Sequence, residues 1–239
     1  MKKLVVITGA SSGIGMELAR RFSAEGHPVL MLARRREVME ELNLPNSLCR
    51  SVDVTDLEAM QSAVREAEEL YGKTDLLINC AGLMLLGYPA EQDFDEWSRM
   101  IDVNVKGVLT GTKAVLSDMI ARNEGTIINI SSIAGRKTFD NHSVYCGTKY
   151  AVHAMTESMR REVSGSNVRM IVIAPGVVET PLLSHTSNQE IKDNYNLWKQ
   201  EIDGGLEPSQ IADCAWFAYQ MPQEVCVREI VIAKTKQAD

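Results

Sequence analysis

The sequence predicts an α/β fold, a doubly wound parallel sheet of seven strands flanked by helices on both faces. Three observations predict it. Seven short apolar runs alternate with longer helix-period patterns from one end to the other, and strand–helix alternation of this kind builds parallel sheets. Several runs, LVVI at 4–7 and MIVIA at 170–174 among them, are apolar at every position, as strands covered on both faces must be. A glycine-rich turn, TGASSGIG at 8–15, joins the first run to the first helical pattern.

The first strand spans 4–8 and its helix 14–25. Between them Gly9, Gly13 and Gly15 sit where the chain must turn sharply and bring backbone N–H groups, with those of Ser11, Ser12 and Ile14, close to a ligand. A pyrophosphate there meets the free N–H groups and positive dipole end of a helix. The spacing is G-x-x-x-G-x-G rather than the usual G-x-G-x-x-G.

The second strand, 29–33, ends in Ala33-Arg34-Arg35-Arg36, before a helix over 35–42. An acidic residue at that place bonds a ribose 2′-hydroxyl, whereas guanidinium suits a 2′-phosphate. No carboxylate stands here, so Arg34 and Arg35 favour NADP(H) over NAD(H). The third strand, 48–52, leads to Asp53 and Val54, from which a carboxylate and a backbone N–H could reach adenine. Asp53 could instead cap the helix at 57–71, although Thr55 or Asp56 is better placed for that. The fourth strand is 76–79, the next helix 94–122, and the fifth strand 126–130.

The fifth strand runs into SSIAGRKTFDNHSVYCGTK, residues 131–149, the last part of which opens a helix over 144–163. A free phenol has a pKa near 10 and is a poor base at neutral pH. Residues four apart share a helix face, so Lys149 can lie near the hydroxyl of Tyr145. At about 4 Å and an effective dielectric near 20, the attraction is roughly 4 kcal/mol, or about three pKa units before desolvation is subtracted. Six tyrosines yield about 0.3 such pairs by chance, and Tyr195 with Lys199 repeats the spacing. Only Tyr145 follows a strand that ends in a serine, Ser132, thirteen residues upstream. Arg136, Lys137 and His142 in the intervening loop bind a substrate carboxylate, or else are solvated or make subunit contacts. Cys146 should point away and only pack.

The sixth strand is 169–174, the last helix 209–220 and the seventh strand 228–232. The stretch 177–205 breaks the rhythm with Glu179, His185, Asn188, Lys192, Asp193 and Asn194, and reads as a substrate lid or a surface insertion. With no repeat or linker, 1–239 reads as one domain.

Taken together, TGASSGIG at 8–15, NCAG at 79–82, Asn104, Ser132, Tyr145 with Lys149, and PGVVET at 175–180 resemble the classical short-chain dehydrogenase/reductase family. The match holds in order and spacing over essentially the whole chain. The resemblance implies a seven-stranded Rossmann sheet and hydride transfer between NAD(P)H and a carbonyl. It implies Tyr145 as general acid/base, Lys149 as ribose ligand and pKa modifier, Ser132 as the donor orienting the carbonyl, and Asn104 as anchor of a proton-relay water. It adds Asn79, Ala81, Gly82, Pro175, Gly176, Val178 and Thr180 to the cofactor-binding set. Cys80 departs from the family's commoner NNAG. The C-terminal EIVIAKTKQ looks like the subgroup acting on small 3-hydroxy acids or serine-like substrates. A 3-oxoacyl thioester reductase is the enzymatic alternative, and an NADPH-binding sensor without turnover the non-enzymatic one. Family members are usually homotetramers packed through the helices near 95–122 and 144–163, and a homodimer is the other expectation.

Composition excludes other classes. A net charge of −7 argues against nucleic acid or anionic membrane as partner, and no apolar run approaches the roughly 18 residues of a membrane span. The opening MKKLVVITGASS imitates a signal peptide, but its apolar run stops at Ile7. Five cysteines without a C-x-x-C pair argue against disulfides and a metal site and suit a cytoplasmic location. A small-molecule carbonyl or alcohol substrate remains.

Overall fold

The computed structural model describes residues 2–238; the end residues 1 and 239 of the expected domain lie outside them. The chain runs β1 (Leu4–Thr8), α1 (Gly13–Ala24), β2 (Val29–Ala33), α2 (Arg36–Glu40), β3 (Ser47–Ser51), α3 (Leu57–Tyr71) and β4 (Thr74–Asn79). It continues through α4 (Phe94–Ile101), α5 (Gly107–Arg122), β5 (Gly125–Ile130), α6 (Ser143–Glu162) and β6 (Val168–Pro175). The last elements are α7 (Gln189–Glu201), α8 (Pro208–Gln220) and β7 (Glu229–Ile232).

All seven strands pair in parallel in the order β3-β2-β1-β4-β5-β6-β7. The order reverses between β1 and β4, which opens a crevice at their carboxyl ends, the usual ligand site of such sheets. The sheet is covered twice, and β1 shows how. Val5 and Ile7 join the cluster of Leu18, Phe22, Ile211 and Trp216 from α1 and α8. Leu4 and Val6 join Met60, Val64, Val115 and Met119 from α3 and α5 on the opposite face. Two-residue alternation thus explains why the run had to be apolar throughout. A third cluster, with Leu83, Met84, Leu85, Leu86, Met100 and Ile191, lies above the carboxyl ends of the strands.

Two expectations are corrected. The helix expected over 94–122 is interrupted by a turn of π-helix at Asp102–Lys106, which turns the Asn104 side chain inward to the backbone of Leu83. Such turns insert one residue and re-aim side chains, a change that helical periodicity does not report. The irregular 177–205 stretch also holds structure. Pro181–His185 forms a 3₁₀ turn, and α7 follows, its first turn capped by Asn188 Oδ1 accepting from Ile191 N at 3.1 Å.

Close packing of α5 on β4 gives a test of the fold. A β-carbon at Gly111 would strike Asn79 Oδ1, whereas one at Gly147 on α6 meets nothing within 4 Å. Gly111→Ala is expected to destabilise by about 1–3 kcal/mol through overpacking. Gly147→Ala is expected to stabilise by about 0.5–1 kcal/mol through helix propensity. Urea unfolding midpoints of the two variants check both signs.

Candidate active site

The glycine turn between β1 and α1 is built for close approach. Gly9 has φ +70° and a β-carbon there would lie 2.8 Å from the Ala81 backbone; Gly13 has φ +51° and would meet Thr180 Cγ2 at 2.9 Å. A β-carbon on Gly15 would collide with the carbonyl of Gly9. Thr8 Oγ1 accepts from Cys80 N at 3.0 Å and Ala81 N at 3.2 Å, tying the ends of β1 and β4 together. Ser12 stands at the N-cap of α1 and makes no side-chain cap bond. The result is a side-chain-free cradle at a helix N-terminus, which fits the phosphates of a dinucleotide.

The basic end of that cradle is in place. Arg35 Nη2 donates to Ser11 Oγ at 3.2 Å, joining α2's entry to the glycine turn, and Arg34 is exposed beside it. His185, from the 3₁₀ turn, is held below its ordinary pKa by burial and by the guanidinium charges of Arg34, Arg99 and Arg35. Asp53 Oδ1 accepts from Thr55 N at 2.9 Å and Oγ1 at 2.8 Å, which keeps its carboxyl low. Asp56, not Asp53, caps α3 by accepting from Ala59 N at 3.0 Å. Val54 is buried, within reach of a β-carbon at Gly107. The Asn79 side chain faces the interior, where Nδ2 donates to Asn129 Oδ1 at 2.9 Å. It therefore supports the strand ends and only its backbone is left for a ligand.

The proton-transfer residues converge from three elements. Ser132 lies two residues past β5, capping a 3₁₀ turn, with Oγ accepting from Ala134 N at 3.1 Å and donating to Pro175 O at 3.4 Å. Tyr145 and Lys149 lie in the first two turns of α6, both buried, with the ammonium 5.7 Å from the phenol ring centre. Asn104 accepts from Leu83 N at 2.8 Å and donates to Leu83 O at 2.9 Å and Thr148 Oγ1 at 3.0 Å. Thr148 Oγ1 in turn donates to Tyr145 O at 2.7 Å. Gly82 passes next to both, a β-carbon there lying 3.5 Å from Asn104 Oδ1 and 3.9 Å from Lys149 Nζ.

The electrostatics correct the sequence argument. Burial raises the Tyr145 phenol above its ordinary pKa, and the hydrogen bond with Ser132 only partly opposes this. Lys149 Nζ donates to Ile130 O at 3.1 Å rather than to the phenol. Burial lowers the ammonium to about 8. Desolvation disfavours both charged forms, phenolate and ammonium alike, so the Coulomb gain assumed for an exposed pair is overridden. Cys80 behaves likewise, pushed up to about 12 by burial, and Cys146 is buried among apolar neighbours.

Ser132 and Tyr145 open on a cavity of about 480 Å³, lined also by Ile14, Pro175, Gly176, Val178 and Thr180. Its far wall comes from the 177–205 stretch and the 139–142 loop: Leu182, Leu183, Ile191, Tyr195, Trp198, Phe139 and His142. His142 lies 6.1 Å from the Tyr145 ring and 6.3 Å from the Tyr195 ring. Lys199, the one lysine or arginine in that lining among the described residues, donates to Glu179 Oε2 at 2.8 Å. Arg136 pairs with Glu229 at 2.6 Å, and Lys137 lies 5.6 Å from the Phe139 ring centre. Burial lowers His142 toward the neutral form.

Sequence reasoning set the Tyr195/Lys199 repeat aside, yet both residues line the same cavity as Tyr145. It also missed Thr186, whose Oγ1 accepts from Leu86 N at 3.1 Å and fastens the 177–205 stretch over the third cluster. Gln237, sixty residues beyond Val177, reaches the cavity as well. A helical reading of 189–201 from the Asn188 cap would have found the first pair; no local signal marks the other two.

The family model described as short chain dehydrogenase matches residues 3–191. An uncharacterised oxidoreductase of Staphylococcus saprophyticus is 40% identical over 243 residues, covering 99% of this chain and 97% of the relative. Glycine betaine reductase of Emericella nidulans is 36% identical over 96% of this chain, a match that spans 18% of that longer protein. A solved closed form of serine dehydrogenase complexed with NADP+ superposes with a TM-score of 0.91 at 30% identity, covering 99% of this chain and 96% of its own. Serine dehydrogenase from Escherichia coli gives 0.84 at 29% identity, covering 99% and 100%.

The lowered ammonium makes stability pH-dependent. A lysine titrating near 8 in the folded chain and near 10.4 unfolded binds fewer protons when folded across that window. The unfolded state then holds more protons, so Lys149's contribution to stability rises with pH from about 8 to about 10.4. Lys149→Met is expected to remove that rise, by roughly 3 kcal/mol at most, in a comparison of urea unfolding free energies at pH 7.5 and pH 10.

Proposed function

This chain belongs to the short-chain dehydrogenase family, whose members act on CH–OH and C=O groups, and on that premise we propose that it is an NADP(H)-dependent oxidoreductase. What carries this reading is that Ser132 and Tyr145 line one cavity, with the Lys149 ammonium 5.7 Å from the phenol ring centre. Bound in the glycine cradle, the cofactor supplies the hydride. Arg34 and Arg35 hold a 2′-phosphate as a bidentate-capable cationic pair. Ser132 donates to the substrate oxygen and steadies the alkoxide that develops there. Tyr145 gives that oxygen its proton, and a phenol whose pKa is raised by burial holds the proton until the alkoxide forms. Such a poise suits carbonyl reduction. Lys149, next to Gly82 and the phenol ring, serves the cofactor ribose, and Asn104 fixes Leu83 and α6 around them.

The stretch 177–205 acts as a substrate lid. Phe94, Ile101, Leu109, Ile120 and Tyr150 are exposed on α4, α5 and α6, which supports assembly of identical copies, a homotetramer or homodimer, through these helices. The cysteines are unpaired among the described residues, which supports a reducing, cytoplasmic location.

For the substrate, the likeness to serine dehydrogenases supports the small 3-hydroxy acid expected from the C-terminal segment, but the cavity lining favours an uncharged compound. A carboxylate entering it would meet aromatic and aliphatic walls, a neutral histidine and a lysine already neutralised by Glu179. Desolvating a carboxylate without an unpaired cation is unfavourable by several kcal/mol. We therefore place an uncharged carbonyl compound with an aromatic or bulky apolar substituent ahead of 3-oxo acids and 3-oxoacyl thioesters.

Turnover of NADPH against a panel of aryl aldehydes, diketones, a 3-ketosteroid, 3-oxo acids and a 3-oxoacyl thioester tests this order, with NADH alongside. Uncharged carbonyls are expected to give the higher kcat/KM; selective use of a 3-oxo acid would reverse the assignment. Tyr145→Phe is expected to lower kcat by about 10²–10⁴-fold and leave NADPH binding, followed by fluorescence, largely intact. Replacing Arg34 and Arg35 together by alanine is expected to weaken NADPH at least tenfold and leave NADH nearly unchanged.

A further inference from the structure

The C-terminal tail after β7 folds back across the end of β6. Gln237 N donates to Lys234 O at 2.9 Å, closing a turn, and Gly176 N donates to Ile232 O at 2.7 Å. The Gln237 side chain then lies over Gly176, where a β-carbon would strike its Oε1. It is 8% exposed and forms part of the cavity wall shared with Ser132 and Tyr145.

The two ends of its amide fare differently. Oε1 accepts from Val177 N at 3.1 Å, while Nε2 is buried with no acceptor among the described residues. Flipping the amide does not help, because Val177 N–H can only donate and would then face a second donor. The orientation is therefore fixed by the backbone. A buried donor left unpaired is unfavourable by about 1–3 kcal/mol, and methionine would fill the same space without that penalty. A group this expensive at the wall of a reactive cavity is best explained by an acceptor that arrives with a ligand.

We propose that the Gln237 side-chain amide is a ligand-binding group of the active site, donating from Nε2 to a neutral carbonyl-type oxygen. The inference rests on the dinucleotide-dependent reading above. Two oxygens of that chemistry enter the cavity, the carboxamide of the nicotinamide and the carbonyl of the substrate. Gln237 is a binding residue in either case and has no part in proton or hydride transfer.

The full-length protein carrying Gln237→Glu or Gln237→Met tests this. Glutamate keeps an oxygen for Val177 N–H and replaces the donor with an acceptor; methionine loses both. Unfolding temperature and oligomeric state are recorded for each. If the carboxamide is the ligand, Gln237→Glu weakens NADP+ binding by calorimetry at pH 8.5 at least tenfold. If the substrate is the ligand, NADP+ affinity holds and KM rises at least tenfold instead. In both cases the loss shrinks as pH falls, because a protonated glutamic acid donates again, a signature that tail anchoring alone does not produce. The proposal is overturned if Gln237→Glu matches wild type at every pH. It is overturned equally if only Gln237→Met weakens binding, which would make Gln237 a tail anchor, or if the variants change the oligomeric state with ligand affinities unchanged. Wild-type protein that binds NADP+ but turns over no substrate would sink the enzymatic reading alone. The NADP+ titrations would then decide the Gln237 proposal, with unchanged affinity counting against it.

Discussion

The arrangement of the candidate site depends on one side chain, that of Asn104. Asn104 Oδ1 and Nδ2 hold the N–H and C=O of Leu83 together, and Nδ2 reaches across to Thr148 on α6. Three segments distant in sequence are thereby set in one register: the extension of β4, the π turn before α5, and the helix that bears Tyr145 and Lys149. A buried amide satisfied at both ends fixes position more tightly than apolar contact, since a shift of about an ångström breaks directional bonds. The π turn is the local distortion that permits this. A continuous helix over 94–122 would carry residue 104 away from Leu83, and the clamp would not form.

The side chains held by this clamp are buried, and burial governs their charges. Tyr145, Lys149 and Cys80 are all driven toward their neutral forms by desolvation. In such surroundings a positive group is worth most where it meets the charge that develops during reaction, and least as a permanent ion pair. This resolves the tension between a lysine expected to acidify a tyrosine and a tyrosine that burial makes more basic. The helical spacing brings the two side chains together; the surrounding dielectric decides which protonation states that proximity favours.

Those links also explain what could be read in advance. The central strands were legible because they are covered on both faces and must be apolar throughout, as Val29–Ala33 is, whereas the edge strands β3 and β7 are only partly buried. The glycine turn was legible because positive φ and backbone contact at Gly9 leave no alternative residue. Tyr145 and Lys149 share a helix face four residues apart, so local geometry announces them. By contrast, Asn79 turns inward to Asn129, Tyr195 crosses to His142, and Gln237 reaches Val177. Each of these depends on contacts between segments far apart in the chain. Burial, which reversed the expected direction for the phenol, is likewise a property of the assembled third cluster and not of any stretch within it.

The two ends of the cleft consequently differ in kind. Toward α2 the walls carry exposed arginines, and cationic groups in water can attract and release a charged phosphate. Toward α7 the lysine that lines the cavity is paired, Lys199 with Glu179, and Arg136 in the nearby loop pairs with Glu229. The remaining lining is largely aromatic and aliphatic, with hydroxyl and amide groups and one carboxylate, Asp140, that would itself repel an anion. Among the described residues, unpaired cationic charge thus lies by the glycine turn, where Arg35 meets Ser11, and paired charge by the cavity that Ser132 and Tyr145 line. A ligand with an anionic end and an uncharged reactive end fits that division when the anion lies toward the arginines. A second, independent anion at the far end meets no unpaired lysine or arginine among the described lining residues, because Lys199 is already bound to Glu179.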